Sequence, residues 1–398
     1  MARILTNGFE LNSMTQGMEW FGSHHTGSIV TSTVNNSTYA YRNNPSAASQ
    51  RTQMGFPTTG IKTAYARFHY YAVTAPAANS QIFAFTDSSL LSYLTLIRGT
   101  GSGIKVMNSA NTQVGSSYAL STGQWYLIEV GIFSNSTTGT IDVKVDGSTI
   151  VSVTGENTNG ADIRGIALGA SAALTHEYYI DNLAVNDTSG SYQNSWVGPG
   201  YVICLRPNAA GDSTNYTRGG TDSGTNYGQV DEVTPNDITD YVVSSTTNHI
   251  DMYNVGASGI GSGDTVNVVH VGYRIANITS DGIAVIEPRI IKTSGGTVTT
   301  GTASGSLSST VWRSNGGSTT AFNPYPINAY QDPDAAAWTQ STLDSMQIGF
   351  KTTNGGTNGI AVSAVWAMVD YTPAAAASFN AAWNASANTT IQSGAMQG

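Results

Sequence analysis

"STGQWYLIEVGIFSNSTTGTIDVKVDGSTIVSVTG", residues 121–155, decides how the chain is read. Through "GTIDVKVDGSTI" (139–150), apolar Ile141, Val143 and Val145 alternate with Asp142 and Lys144, and Asp146-Gly147 then turns the chain. A period of two is that of a strand with one face in a core and one toward solvent. Asp-Gly is a preferred pair for a two-residue hairpin. Just upstream, "WYLIEVGIF" (125–133) is apolar almost throughout, apart from Glu129 and Gly131. Such a run predicts a central strand, with Trp125 and Ile128 in the core.

Similar runs extend outward: "AYARFHYYAV" (64–73), "QIFAFT" (81–86), "LSYLTLIRG" (91–99), "DIRGIALGA" (162–170) and "EYYIDNLAVND" (177–187). Short strands separated by Gly, Asn and Ser turns are the pattern of a β-sandwich. The composition agrees: 398 residues contain 44 glycines and only 10% charged side chains, and no long helical period is visible. That length suits two domains. A net charge of −9 without a basic cluster predicts no nucleic-acid surface. No apolar run reaches about 18 residues, so no membrane span is expected. "MARILTNGFE" has no signal-peptide core, which predicts synthesis in a host cytoplasm. The single cysteine, Cys204, excludes an internal disulfide and reads as a small buried hydrophobe.

The late strands, with the closing "YIDNLAV" and the opening "NGFELNSMTQGMEW", resemble the concanavalin-A-like, or laminin-G-like, jelly roll. The resemblance covers nearly half of the chain and implies a fold rather than a function.

A Gly/Ser stretch with Pro199, "SGSYQNSWVGPGY" (189–201), marks a boundary. The second unit carries "ITDYVVSS", "DTVNVVHVGYRIA", "GIAVIEPRII" and "GIAVSAVWAMVDY", again strands, with one helical turn expected within 332–347. Its start resembles a segment of tailed-phage virion proteins. The matching residues are Leu205, Pro207, Asn208, Gly211, Asp212, Tyr216, Asn226, Tyr227, Val230, Asp231, Glu232, Pro235, Asp237, Thr239, Tyr241 and Val242. The resemblance implies a virion structural role and brings no catalytic or ligand residues with it; Tyr216 stands where a Trp is commoner.

The expected fold is therefore all-β: a jelly-roll-like sandwich over 1–190, a second β-sandwich over 191–373, and an extended C-terminal arm over 374–398. Each half is long enough to fold alone. Phe379, Trp383, Ile391 and Met396 are the arm's large apolar groups, expected to anchor it on a neighbouring subunit. This makes a homo-oligomer, with a trimer as the guess, and other virion proteins of capsid or tail the expected partners.

Chemistry is sparse. Glycoside hydrolysis needs two carboxylates about 5–9 Å apart, and neither Glu-x-Asp-x-x-Glu nor its shorter form occurs. Glu129, Asp142, Asp146, Glu177 and Asp181 read as turn and surface carboxylates, so no catalytic residue is assigned. Asp231, Glu232, Asp237 and Asp240 read as loop-fixing Asx turns rather than a calcium site. His24-His25 point opposite ways on a strand and lack further ligands, so neither metal nor cofactor is expected. Sugar binding is open, because Trp20, Tyr39, Tyr41, Tyr178 and Asn182 could stack on and hydrogen-bond a glycan. The reading that follows is a non-enzymatic virion-exterior protein: first a capsid decoration or head-fibre-like subunit, second a tail fibre or adhesin binding host glycans through its first domain. A depolymerase is the remote third.

Overall fold

The computed structural model describes residues 2–13, 26–45, 50–56, 60–76, 79–89, 93–101, 103–170, 172–280, 283–307, 310–315 and 325–374. The arm residues Phe379, Trp383, Ile391 and Met396 lie outside them, as do Trp20, His24 and His25. Four antiparallel sheets form two sandwiches. In the first, an eight-stranded sheet runs in the order Ser148–Glu156, Gly139–Val145, Trp125–Phe133, Thr63–Ala72, Tyr178–Asn186, Ala40–Asn43, Ser28–Val30, with Arg3–Asn7 paired to Tyr178–Asn186. A six-stranded sheet, from Gln50–Gly55 to Gln113–Ala119, covers its inner face. Asp146 (φ 48°) and Gly147 (φ 79°) both take the left-handed backbone that a two-residue turn of this hand requires. Ile128, Val130, Ile141, Val143 and Val145 enter the core behind it.

The second sandwich sets a seven-stranded sheet, centred on Thr265–Asn277 and Ile360–Thr372, against a five-stranded one containing Ile250–Val255 and Gln347–Gly355. The helix Gln340–Asp344 is a single capped turn, with Thr339 accepting from the Thr342 amide. Among the described residues, no helix is long and apolar enough to cross a membrane.

Two β-bulges set how the sandwiches meet. In Tyr178–Asn186 the register slips between Asp181 and Ala184, so Tyr178 and Ile180, then Leu183 and Val185, reach the same core. Asn182 sits in the slip at φ 54°. In Ile360–Thr372 a slip at Ser363 moves the core-facing set from Ile360 and Val362 to Val365, Ala367 and Val369. Trp366, Met368 and Asp370 then face away from their own core. Trp366 and Met368 cluster with Val202 and, from the first sandwich, Leu11. Cys204, expected as a small buried hydrophobe, is half-buried and packs against this cluster.

Asp370 is the polar centre of the junction. It meets Arg67 Nη2 at 2.6 Å and Arg3 Nη1 at 2.8 Å, with all three side chains fully buried. Asn267 donates to its other oxygen at 2.6 Å. Arg3 also donates to Asn186, Thr6 and Gln193, and Thr6 Oγ1 lies 2.8 Å from His270 Nε2. Burial alone pushes the Asp370 carboxyl up, but the Arg67 and Arg3 guanidiniums outweigh it and bring it down to about 2.

Candidate functional site

The outward face of the eight-stranded sheet is where sequence and structure part. Core packing takes Ala64, Ala66, Phe68 and Tyr70 of one strand and Tyr126, Ile128 and Val130 of its neighbour. The alternate residues therefore face the other way. The ladder pairs Trp125 with Tyr71, Leu127 with His69, and Glu129 with Arg67. Trp125, expected in the core, is instead half-buried on this outer face; Ile128 is fully buried, as expected.

Here a cleft of about 810 Å3 opens beside the junction. His69, Trp125, Leu127 and Glu129 form its floor, and the Asp146-Gly147 turn closes one end. The connecting segment Pro199, Gly200 and Tyr201 makes the opposite wall, while Asn35, Thr372 and Pro373 make the rim. Gly200 is required there: a Cβ would come within 2.5 Å of Arg67 Nη1 and 2.7 Å of the Tyr371 carbonyl oxygen. Thr372 Oγ1 donates to the Pro199 carbonyl at 2.8 Å, tying rim to wall.

Trp125, His69 and Tyr201 are the rings that line the cleft, and each packs on an aromatic neighbour. Trp125 lies 5.4 Å from Tyr71, which meets Tyr179 edge-on at 6.0 Å. His69 stacks on Tyr201 at 5.4 Å and 8°. His69 is 7% exposed and its Nδ1 has no hydrogen-bond partner. Burial, and then the Arg67 charge, hold its pKa down to about 3, so the ring is neutral. Its Nδ1 is buried, so the ring meets the cleft as an uncharged stacking partner of Tyr201.

The carboxylates here are already engaged. Glu129 accepts from the Gly198 amide at 2.9 Å and stands across the ladder from Arg67, whose charge it helps to balance. Asp146 accepts from the Leu127 amide at 2.8 Å. Elsewhere, Asp142 accepts from Ser152, and Glu177 pairs with Arg42 at 2.7 Å. Asp181 is fully buried and accepts from the Asn35 amide, Ser37 and the Asn182 amide.

The residues expected to bind a glycan do not converge. Tyr41 and Tyr178 are fully buried in the first core. Tyr41 donates to the Thr26 carbonyl and Tyr178 to the Gln81 carbonyl. Tyr39 packs half-buried against the same core. Asn182 is a joint: its Oδ1 accepts from the Val202 amide at 2.7 Å, its Nδ2 donates to the Asn35 carbonyl, and its own carbonyl accepts from Arg67. The cleft's rings Trp125, Tyr201 and His69, with Tyr71 packed beside Trp125, were missed as a site. One signal for part of it was present, since "AYARFHYYAV" alternates Ala64, Ala66, Phe68 and Tyr70 with Tyr65, Arg67, His69 and Tyr71.

In the second sandwich, Asp237 takes Arg274 through both oxygens at 2.7 and 2.6 Å, and Asn236 bonds Asp240. Burial, with the charges of Asp231 and Asp240, pushes Glu232 up to about 8. Among the described residues, no group of three or more His, Cys, Asp or Glu side chains is placed to hold a metal.

No family model matches the chain, and no curated protein matches it. Solved structures do resemble it over about half its length. The "Cellulose induced protein, Cip1" matches 49% of this chain and 100% of its own at 15% identity and a TM-score of 0.36. The carbohydrate esterase of Shiga toxin-encoding bacteriophage phi24B matches 48% and 99% at 15% identity and 0.35. The catalytic domain of a glycoside hydrolase family 131 protein from Coprinopsis cinerea matches 50% and 99% at 12% identity and 0.34. At these identities, substrates and catalytic residues do not carry over from any of them.

Proposed function

We propose that the protein is a non-enzymatic surface protein of a tailed-phage virion that holds a host saccharide in the cleft between its sandwiches. The observation that carries the ligand is Trp125. A tryptophan on a strand that also feeds the core stands outside that core, over a cleft that it lines together with Tyr201 and His69. Amphipathic rings beside a few fixed polar groups are the usual furniture of a small-molecule site. This supports glycan binding over plain capsid decoration, which gives Trp125 no task. The virion assignment rests on the resemblance carried by residues 205–242.

Absence of catalysis belongs to the proposal too. Glu129 accepts from the Gly198 amide beside Arg67 and Asp146 holds a turn, which supports assigning neither as acid or base. Screening the intact protein against bacterial surface glycans is the direct test, with release of reducing sugar followed in parallel. Binding that Trp125→Ala loses, without turnover, is expected. Turnover that Glu129→Gln abolishes would make the protein a depolymerase instead.

A further inference from the structure

Resting on that reading, we infer that the cleft selects uncharged pyranose chains and rejects anionic ones such as uronates and sialylated glycans. The sequence holds 16 lysines and arginines, and the side chains of all but Arg98 are described; Arg98 belongs to a strand of the six-stranded sheet, whereas the cleft's floor is on the eight-stranded one. None of the described ones lines the cleft. Arg67, behind Gly200, is fully buried and committed to Asp370 and to the Asn182 carbonyl. Lys144, on the neighbouring strand, lies 3.8 Å over the Trp196 ring. The neutral His69 offers no positive charge either.

Two carboxylates face the same space: the buried Glu129, flanked across the ladders by Arg67 and Lys144, and the exposed Asp146, which has no ion pair among the described residues and carries the repulsion. Carboxylates are acceptors only, so they suit the hydroxyl donors of a neutral sugar and repel a sugar acid. Anion recognition elsewhere relies on the bidentate arginine that this cleft lacks. The flat faces of Trp125 and Tyr201 require only an apolar sugar face, which an uncharged pyranose supplies.

Titration calorimetry on the intact protein tests this with tetrasaccharides of glucose, galactose and mannose against tetrasaccharides of glucuronate and sialylated lactose. Neutral chains should bind at least about tenfold more tightly at low salt. Asp146→Asn keeps a side chain that tolerates the left-handed turn and accepts from Leu127, and it should narrow that ratio. Anionic chains bound as tightly as neutral ones would overturn the selectivity and leave glycan binding standing. A neutral preference that Asp146→Asn does not change would overturn its electrostatic cause. No binding of any tetrasaccharide, or neutral binding undiminished in Trp125→Ala, would overturn selectivity and glycan reading together.

Discussion

Trp125 and Ile128 are three positions apart, and a pleat of period two puts them on opposite faces of one sheet. Substitution should separate their roles. Ile128→Ala empties a fully buried site and should cost about 2–5 kcal/mol. Trp125→Ala should cost only about 1 kcal/mol, because its ring is half-exposed, while weakening glycan binding at least tenfold. Thermal melts beside calorimetry on both variants check this. The pH response is set by other side chains. His69 and His270 are held down to about 3 and His176 to about 4, in each case first by burial. Folded pKa values below the unfolded one of about 6.5 mean that the unfolded chain takes up protons first. Their contribution is complete above about pH 6.5 and is lost as pH falls toward 4 and below. Glu232, raised to about 8, acts in the opposite sense: its contribution is complete below about pH 4.5 and is lost as pH rises through 8. Denaturant midpoints across pH should therefore fall on both sides of a maximum, and Glu232→Gln should flatten the alkaline side.

At the level of elements, the hairpin at Asp146-Gly147 and the central strand 125–133 were legible, because turn chemistry and apolar content are local properties. Which face of that strand enters the core was not. Trp125 and Leu127 are as apolar as Tyr126 and Ile128, so composition cannot choose between the two phases. The bulges were hidden for a related reason. "YIDNLAV" and "GIAVSAVWAMVDY" are buried on both faces, and alternation cannot show where its phase slips. Asn182 tests the first slip. Asn182→Ala loses two hydrogen bonds and puts a Cβ-bearing residue without local bonding at φ 54°, so about 2–4 kcal/mol of stability should go. Asn182→Gly should recover about 1 kcal/mol of that. Equal losses in urea titrations of the two variants would count against backbone strain at this joint.

For the whole molecule, the sequence predicts two halves that fold alone, and their lengths support that. The junction adds what length cannot report: Arg3, Arg67 and Asp370 lie 367 and 303 residues apart in pairs, and no local pattern links them. Removing one partner of a buried ionic group typically costs about 3–5 kcal/mol. Asp370→Ala should therefore lower the melting temperature and split a single calorimetric transition into two, while an excised 1–190 fragment should melt below the intact chain. The same junction has a mechanical side. Strand Ile360–Thr372 begins inside the second core, passes Asp370, and ends at the cleft rim, beyond which the chain continues past Ala374. A pull between a held ligand and anything gripping the residues after Ala374 would enter and leave at that rim. It would travel through the Thr372–Pro199 bond and the Asp370 cluster, along a path of a few residues that bypasses both sandwich interiors. The molecule would bear such tension as a clasp does, at its fastening, with the bodies on either side left slack.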